Sequence, residues 1–154
     1  MNYYIETATE DEWEDAMALA YRTFNKFEAP LYSPQGVDNF VNFISDHHLF
    51  RMFQIEEYHL WLAKDDTGKI LGIGSLRSGN HVSLLFVEEK WQRCGIGSAL
   101  MKEMEEFVKK QGKKSITVNS SPYGIPFYHS IGFSDTGSEC ESGGMLITPM
   151  EKYL

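Results

Sequence analysis

The spacing of apolar residues changes twice along these 154 residues, and that switch decides most of what the chain can fold into. Trp13, Met17, Ala20, Phe24 and Phe27 recur at steps of three and four, the period of a helix. Between Tyr58 and Val87 three apolar stretches are separated by short turns containing Gly68 and Gly79, the pattern of an antiparallel meander. Ile96, Leu100, Met104, Phe107 and Val108 then restore the helical period, with Gly112 as the stop. Helices, a meander, a further helix and further strands together predict a mixed α/β (α+β) fold. Its centre is a mostly antiparallel sheet flanked by helices.

Local signals mark the other elements. Tyr3–Thr7 reads as a strand, and Thr9 with Glu12 forms a capping box ahead of the first helix. Ala29-Pro30 ends that helix. Ser33-Pro34 starts a second, whose apolar face is Val37, Phe40, Val41 and Ile44. Residues 46–57 show no clean period and read as loop or irregular helix. Ser115–Val118 is a strand reached by a crossover long enough to make it parallel to its predecessor. A short helix is expected over Phe127–Ser130. Two last strands, about Phe133–Glu139 and Gly144–Met150, flank a Glu-Ser-Gly-Gly turn.

Composition removes several classes of function. No apolar run approaches the roughly 20 residues that cross a bilayer. Glu6, Glu10, Asp11 and Glu12 interrupt any secretory signal. With 14 basic and 22 acidic residues the net charge is −8, which argues against nucleic acid as a partner. Cys94 and Cys140 build neither a disulfide framework nor a zinc site, and the histidines lack metal-ligand spacing, so no metal is expected. The reading is one cytoplasmic domain spanning residues 1–154, without a membrane partner.

The junction after the third meander strand carries the chemistry. Leu84-Leu85-Phe86-Val87 runs into a loop whose glycines, Gly95 and Gly97, open the long helix. The first turn of a helix has N–H groups without intrahelical partners, and the macrodipole adds partial positive charge. Glycine lets an anion approach the backbone, so the junction reads as a phosphate cradle, with a tight turn and close helix–sheet packing as the alternative role of Gly95 and Gly97. It lacks the Gly-Lys-Ser/Thr of a nucleotide-triphosphate loop, and the third glycine of a dinucleotide fingerprint is Leu100.

Gln92-Arg93-Cys94-Gly95-Ile96-Gly97 resembles the Gln/Arg-x-x-Gly-x-Gly/Ala signature of the GNAT acetyltransferase superfamily. Phe127-Tyr128-His129-Ser130-Ile131-Gly132-Phe133 is similar to that superfamily's second marker, and the interval fits one helix, one strand and one short helix. The resemblance implies a parallel strand pair that splays apart, with acetyl-CoA as co-substrate in the gap. The CoA pyrophosphate would sit on the backbone of Arg93, Cys94, Gly95, Ile96, Gly97 and Ser98, with Gln92 opening the loop. Phe86 and Val87 would pair with the pantetheine arm, and Asn119 would contact CoA. Ser121 stands where the family usually has Asn. Cys94 reads as a loop residue binding through its backbone, with a catalytic thiol as the alternative.

The implied activity is acetyl transfer to a primary amine of a small molecule or peptide by direct attack. Tyr128 would protonate the CoA thiolate, because a phenol stays protonated at neutral pH. His81 is a candidate base or relay, and strand alternation places it with Ser83 on the face of Leu85 and Val87. Glu28 is a candidate for binding or deprotonating a cationic amine, and Tyr32, with Phe27 and Phe40, is a candidate for lining the acceptor pocket. Seven basic against three acidic residues between Lys90 and Lys114 put positive charge on the segment that would take the anion. Two alternatives stay open: a non-catalytic acyl-CoA-binding module, and an acyltransferase using another acyl-CoA. The oligomer is read as a monomer or homodimer, the latter through the C-terminal strands.

Overall fold

The computed structural model describes residues 2–154. Strand β1 (Tyr3–Thr7) is followed by three helices, α1 (Trp13–Phe27), α2 (Pro34–Ile44) and α3 (His47–Gln54). The meander is β2 (Tyr58–Asp65), β3 (Ile70–Arg77) and β4 (His81–Val87). Helix α4 (Ile96–Lys110) crosses over to β5 (Ser115–Ser120), followed by α5 (Ile125–Ser130). Two short strands, β6 (Ser134–Asp135) and β7 (Cys140–Ser142), lead into the long β8 (Met145–Tyr153). Across the sheet the order is β1-β2-β3-β4-β5-β8-β6, with β7 also paired to β8. Among the described residues only the β4–β5 pairing is parallel.

Both faces of the sheet are covered, so the central strands are buried nearly throughout rather than alternating with water. On one face Leu60, Leu62, Ile73, Leu84 and Phe86 pack under α1, α2 and α3. On the other, Trp61, Ala63, Leu71, Val82 and Ile116 pack under α4, with Tyr128 of α5 at the same core. Helix α4 lies close on β3, where the strand has glycine: a Cβ on Gly74 would meet the Met104 methyl at 2.9 Å.

The parallel pair determines the site. β4 and β5 are paired only at His81 with Thr117 and Val82 with Val118. Beyond those rungs each strand keeps its antiparallel neighbour and the two separate, as the splayed pair requires.

Four expectations are corrected. Residues 47–54 form a helix: Asp46 accepts from the His48 N–H at 2.8 Å, a cap that the weak period concealed. The C-terminal strands fall at 134–135, 140–142 and 145–153, because the segment after Phe133 leaves the sheet and returns. The short helix starts at Ile125, with Pro126 in its first turn. Finally, Ser75 pairs with Leu84 while Leu76 pairs with Val82, so Ser83 is the extra residue of a β-bulge. The bulge breaks the alternation. Val82, Leu85 and Val87 face α4, whereas Ser83 bonds to Tyr58 on the α1 face and His81 bonds to Thr117, across the sheet from Ile116 and Val118.

Candidate active site

Helix α4 begins at a glycine turn that leaves its backbone N–H groups free. Gly95 is its N-cap at φ +86°, a conformation that costs a side-chain-bearing residue about 1–2 kcal/mol, and no side chain caps the helix. The first helical bond is donated by Ala99 to the Gly95 carbonyl at 3.0 Å. The six preceding N–H groups, from Arg93 to Ser98, donate to no backbone or side-chain acceptor among the described residues. The Ile96 side chain is buried in the α4 core and anchors the turn; the Cys94 side chain is exposed.

This turn opens onto a cleft of about 630 Å³, within the range of small-molecule sites. Its walls are the separated ends of β4, including Ser83, Phe86 and Val87, and of β5, including Asn119, with Ser121 just beyond that strand. Gln92, Arg93, Gly95, Gly97 and Ser98 lie along one end, and Phe27 with Glu28 closes the α1 side. Ion pairs of Arg22 with Glu88 and Lys26 with Glu89 tie α1 to the segment after β4 and bring the α1 terminus over the cleft.

The titratable groups at the base of the cleft act on one another. Burial pushes the Glu28 carboxyl up to about 7, and hydrogen bonding from Ser121 and Tyr32 offsets part of the rise. Tyr32 touches the cleft through Glu28; burial, then the Glu28 charge, push its phenol up. Tyr128 is 7% exposed, lines the cleft, and its hydroxyl makes no hydrogen bond to another described residue. Burial first and the Glu28 charge second push that phenol up as well.

His81 falls outside the lining. Its Nδ1 lies 2.8 Å from the Thr117 hydroxyl, and burial together with Arg77 lowers it to about 4. Phe40 is also set back, stacked on Phe24 with ring centroids 3.8 Å apart. Sequence reasoning passed over Tyr123. Its ring stacks on Phe27 at 5.1 Å and its hydroxyl donates to Gln92 Oε1 at 2.9 Å, while Gln92 Nε2 donates to the Val87 carbonyl at 3.0 Å. No period or motif marks a tyrosine in a Ser-Pro-Tyr-Gly turn for that position.

The positive charge is less concentrated than its sequence position implied. Lys109 and Lys110 end α4, with Lys113 and Lys114 just beyond, a helix length of about 20 Å from the glycine turn. They complement the C-terminal dipole. Lys90 and Arg93 are the cations beside the cradle. Among the described residues no group of three His, Cys, Asp or Glu is placed to hold a metal ion. No helix among them is long and apolar enough to cross a membrane.

The family described as the acetyltransferase (GNAT) domain matches residues 28–154. The chain belongs to the GNAT acetyltransferase family. The same architecture is found in a GCN5-related N-acetyltransferase from Rhodopseudomonas palustris, at TM-score 0.84 and 18% identity over 100% of this chain and 97% of that one. The PaiA N-acetyltransferase from Thermoplasma acidophilum, solved in complex with coenzyme A, is similar at TM-score 0.82 and 18% identity, covering 100% of both chains. A glucosamine 6-phosphate N-acetyltransferase from Trypanosoma brucei brucei is 29% identical over 77 residues, 44% of this GNAT chain. The match spans about half that relative, 52% of its length.

Proposed function

We propose that this GNAT domain transfers an acetyl group from acetyl-CoA to a primary amine by direct attack of the amine on the thioester. The observation that carries the reading is the run of six unpartnered N–H groups, Arg93 to Ser98, at the mouth of a cleft that holds Glu28 and Tyr128. The N–H run suits the pyrophosphate of CoA, and the unpaired β4 and β5 backbone beyond Val82 suits its pantetheine arm beside Phe86, Val87 and Asn119. A protein of the same fold, the PaiA N-acetyltransferase, was solved in complex with coenzyme A, which supports CoA as the ligand.

The proton path follows from the charges. An amine arrives as an ammonium and attacks only when neutral. Glu28, held at about 7, takes one proton and becomes uncharged. The amine nitrogen bonds to the thioester carbon, the tetrahedral intermediate collapses, and the carbon–sulfur bond breaks with its electron pair on sulfur. Neutralised Glu28 no longer opposes ionisation of Tyr128, so the phenol is a better acid at the step where the thiolate leaves. Tyr128 delivers its proton to sulfur, and the phenolate so formed takes up the second proton shed by the attacking nitrogen, giving an amide and free CoA. Bringing amine and thioester together in one water-poor cleft supplies much of the rate.

Release of free thiol from acetyl-CoA on addition of an amine panel tests the reaction. Tyr128→Phe is expected to lower turnover by about 100-fold with acetyl-CoA affinity unchanged in calorimetry. Tight CoA binding without thiol release from any amine would establish the non-catalytic module instead.

A further inference from the structure

A chain of three hydroxyls runs from the buried sheet into the cleft, and proton counting fixes its direction. Tyr58 donates its single hydroxyl proton to Ser83 Oγ at 2.9 Å. Ser75 Oγ lies 2.7 Å from the same phenol oxygen, so it must be the donor of that bond. Ser83 thus accepts from Tyr58, and its own proton is committed to no other described group. Tyr58 is 1% exposed and Ser75 fully buried, yet Ser83 lines the cleft. The one free proton of the chain therefore points where a ligand would lie.

Three further features give this arrangement a purpose. A Phe and an Ala would fill the space of Tyr58 and Ser75 without polar groups to satisfy, so packing alone does not call for the hydroxyls. The bulge at Ser83 turns this one residue out of the ladder, beside the point where β4 and β5 part. It also puts Ser83 on the α1 face, away from α4 and its N–H cradle, which leaves the acceptor rather than CoA as its partner. Arg77 lies across the strands from Tyr58 and His81 and makes no ion pair among the described residues. Its charge acts on both of those neighbours. Arg77 is exposed and outside the cleft lining, but it puts positive charge at this end of the strands, and a free donor proton in that field favours an anionic oxygen.

The geometry points to Ser83 as the residue that binds a carboxylate oxygen of the acceptor, making the acceptor an amine that also carries a carboxylate, the amino-acid class. Tyr58 is the positioning residue that aims the Ser83 hydroxyl. The assignment rests on the acetyltransfer reading above, with the amine at Glu28 and the carboxylate at Ser83.

The test compares amino acids with the amines left when the carboxylate is removed, such as lysine with cadaverine and phenylalanine with phenethylamine, at saturating acetyl-CoA. The wild-type protein is expected to favour the carboxylate-bearing member by tenfold or more in kcat/KM, as loss of a hydrogen bond to a charged group implies. Ser83→Ala should raise acceptor KM by a similar factor for the amino acids alone, leaving acetyl-CoA affinity unchanged. Tyr58→Phe combined with Ser75→Ala, which leaves no orphaned hydroxyl, should raise the same KM by a few-fold with kcat retained. Thiol release that ignores both the carboxylate and Ser83→Ala overturns this assignment alone. No thiol release from any amine overturns it together with the acetyltransfer reading.

Discussion

Burial holds the Glu28 carboxyl at about 7, so its charge changes within the working range of the proposed reaction. As a base it acts only when ionised, so kcat/KM for the acceptor should rise with pH through about 7. Glu28→Gln should remove that limb and lower turnover by about 100-fold. The same proton affects stability with a definite sign. The carboxyl moves from 4.5 to about 7 on folding, so its contribution is full below pH 4.5 and is lost as pH rises through 7. Glu28→Gln should therefore gain more in melting temperature at pH 8 than at pH 5; a pH-independent difference would show that Glu28 does not titrate there. Glu28 was legible as a carboxylate near the end of α1. Its environment was not, because Ser121 and Tyr128 reach it only through the fold. His81 shows the converse: its ring suits a base, but it lies on a rung where β4 and β5 are still paired, bonded to the Thr117 hydroxyl and outside the cleft.

The β7–β8 hairpin docks on the first turn of α2. The Ser33 N–H donates to the Gly144 carbonyl at 3.2 Å and Asn39 Nδ2 to the Gly143 carbonyl at 2.7 Å. A Cβ on Gly36 would fall 2.3 Å from the Gly144 oxygen, a contact with rigid backbone. Gly36→Ala should force the hairpin off α2 at a cost of about 1–3 kcal/mol, read by urea denaturation; wild-type stability would show the two are apart in solution. This docking also explains where sequence reasoning stopped. Strong local period identified α1, α2 and α4, each of which buries one continuous face, and short turns marked off the apolar strands of the meander. It failed where an element is held by something distant or very short, as with the two-residue β6 on β8 and α3 with its Asp46 cap. The glycine turn was legible because its chemistry belongs to consecutive backbone groups. The Ser75–Tyr58–Ser83 chain was not, because it joins three strands.

At the scale of the whole molecule, ligand and fold are linked. If acetyl-CoA binds the folded chain alone, a hundredfold excess over Kd adds about 2.7 kcal/mol, a rise in melting temperature of about 5–10 °C for a domain of this length. Inorganic pyrophosphate should give part of that shift if the Arg93–Ser98 N–H groups hold the phosphates; a shift with neither would remove the cradle from the argument. The net charge of −8 does not oppose such an anion, because attraction is supplied by oriented N–H dipoles with Lys90 and Arg93 rather than by a broad basic face. The short parallel pairing has a consequence of its own. Past Val82 and Val118 the sheet acquires a second pair of edges, turned toward each other inside the fold. Exposed edges elsewhere invite stray strands and aggregation. Here the same unfilled backbone is kept indoors, where only a slender, amide-bearing guest can complete the sheet.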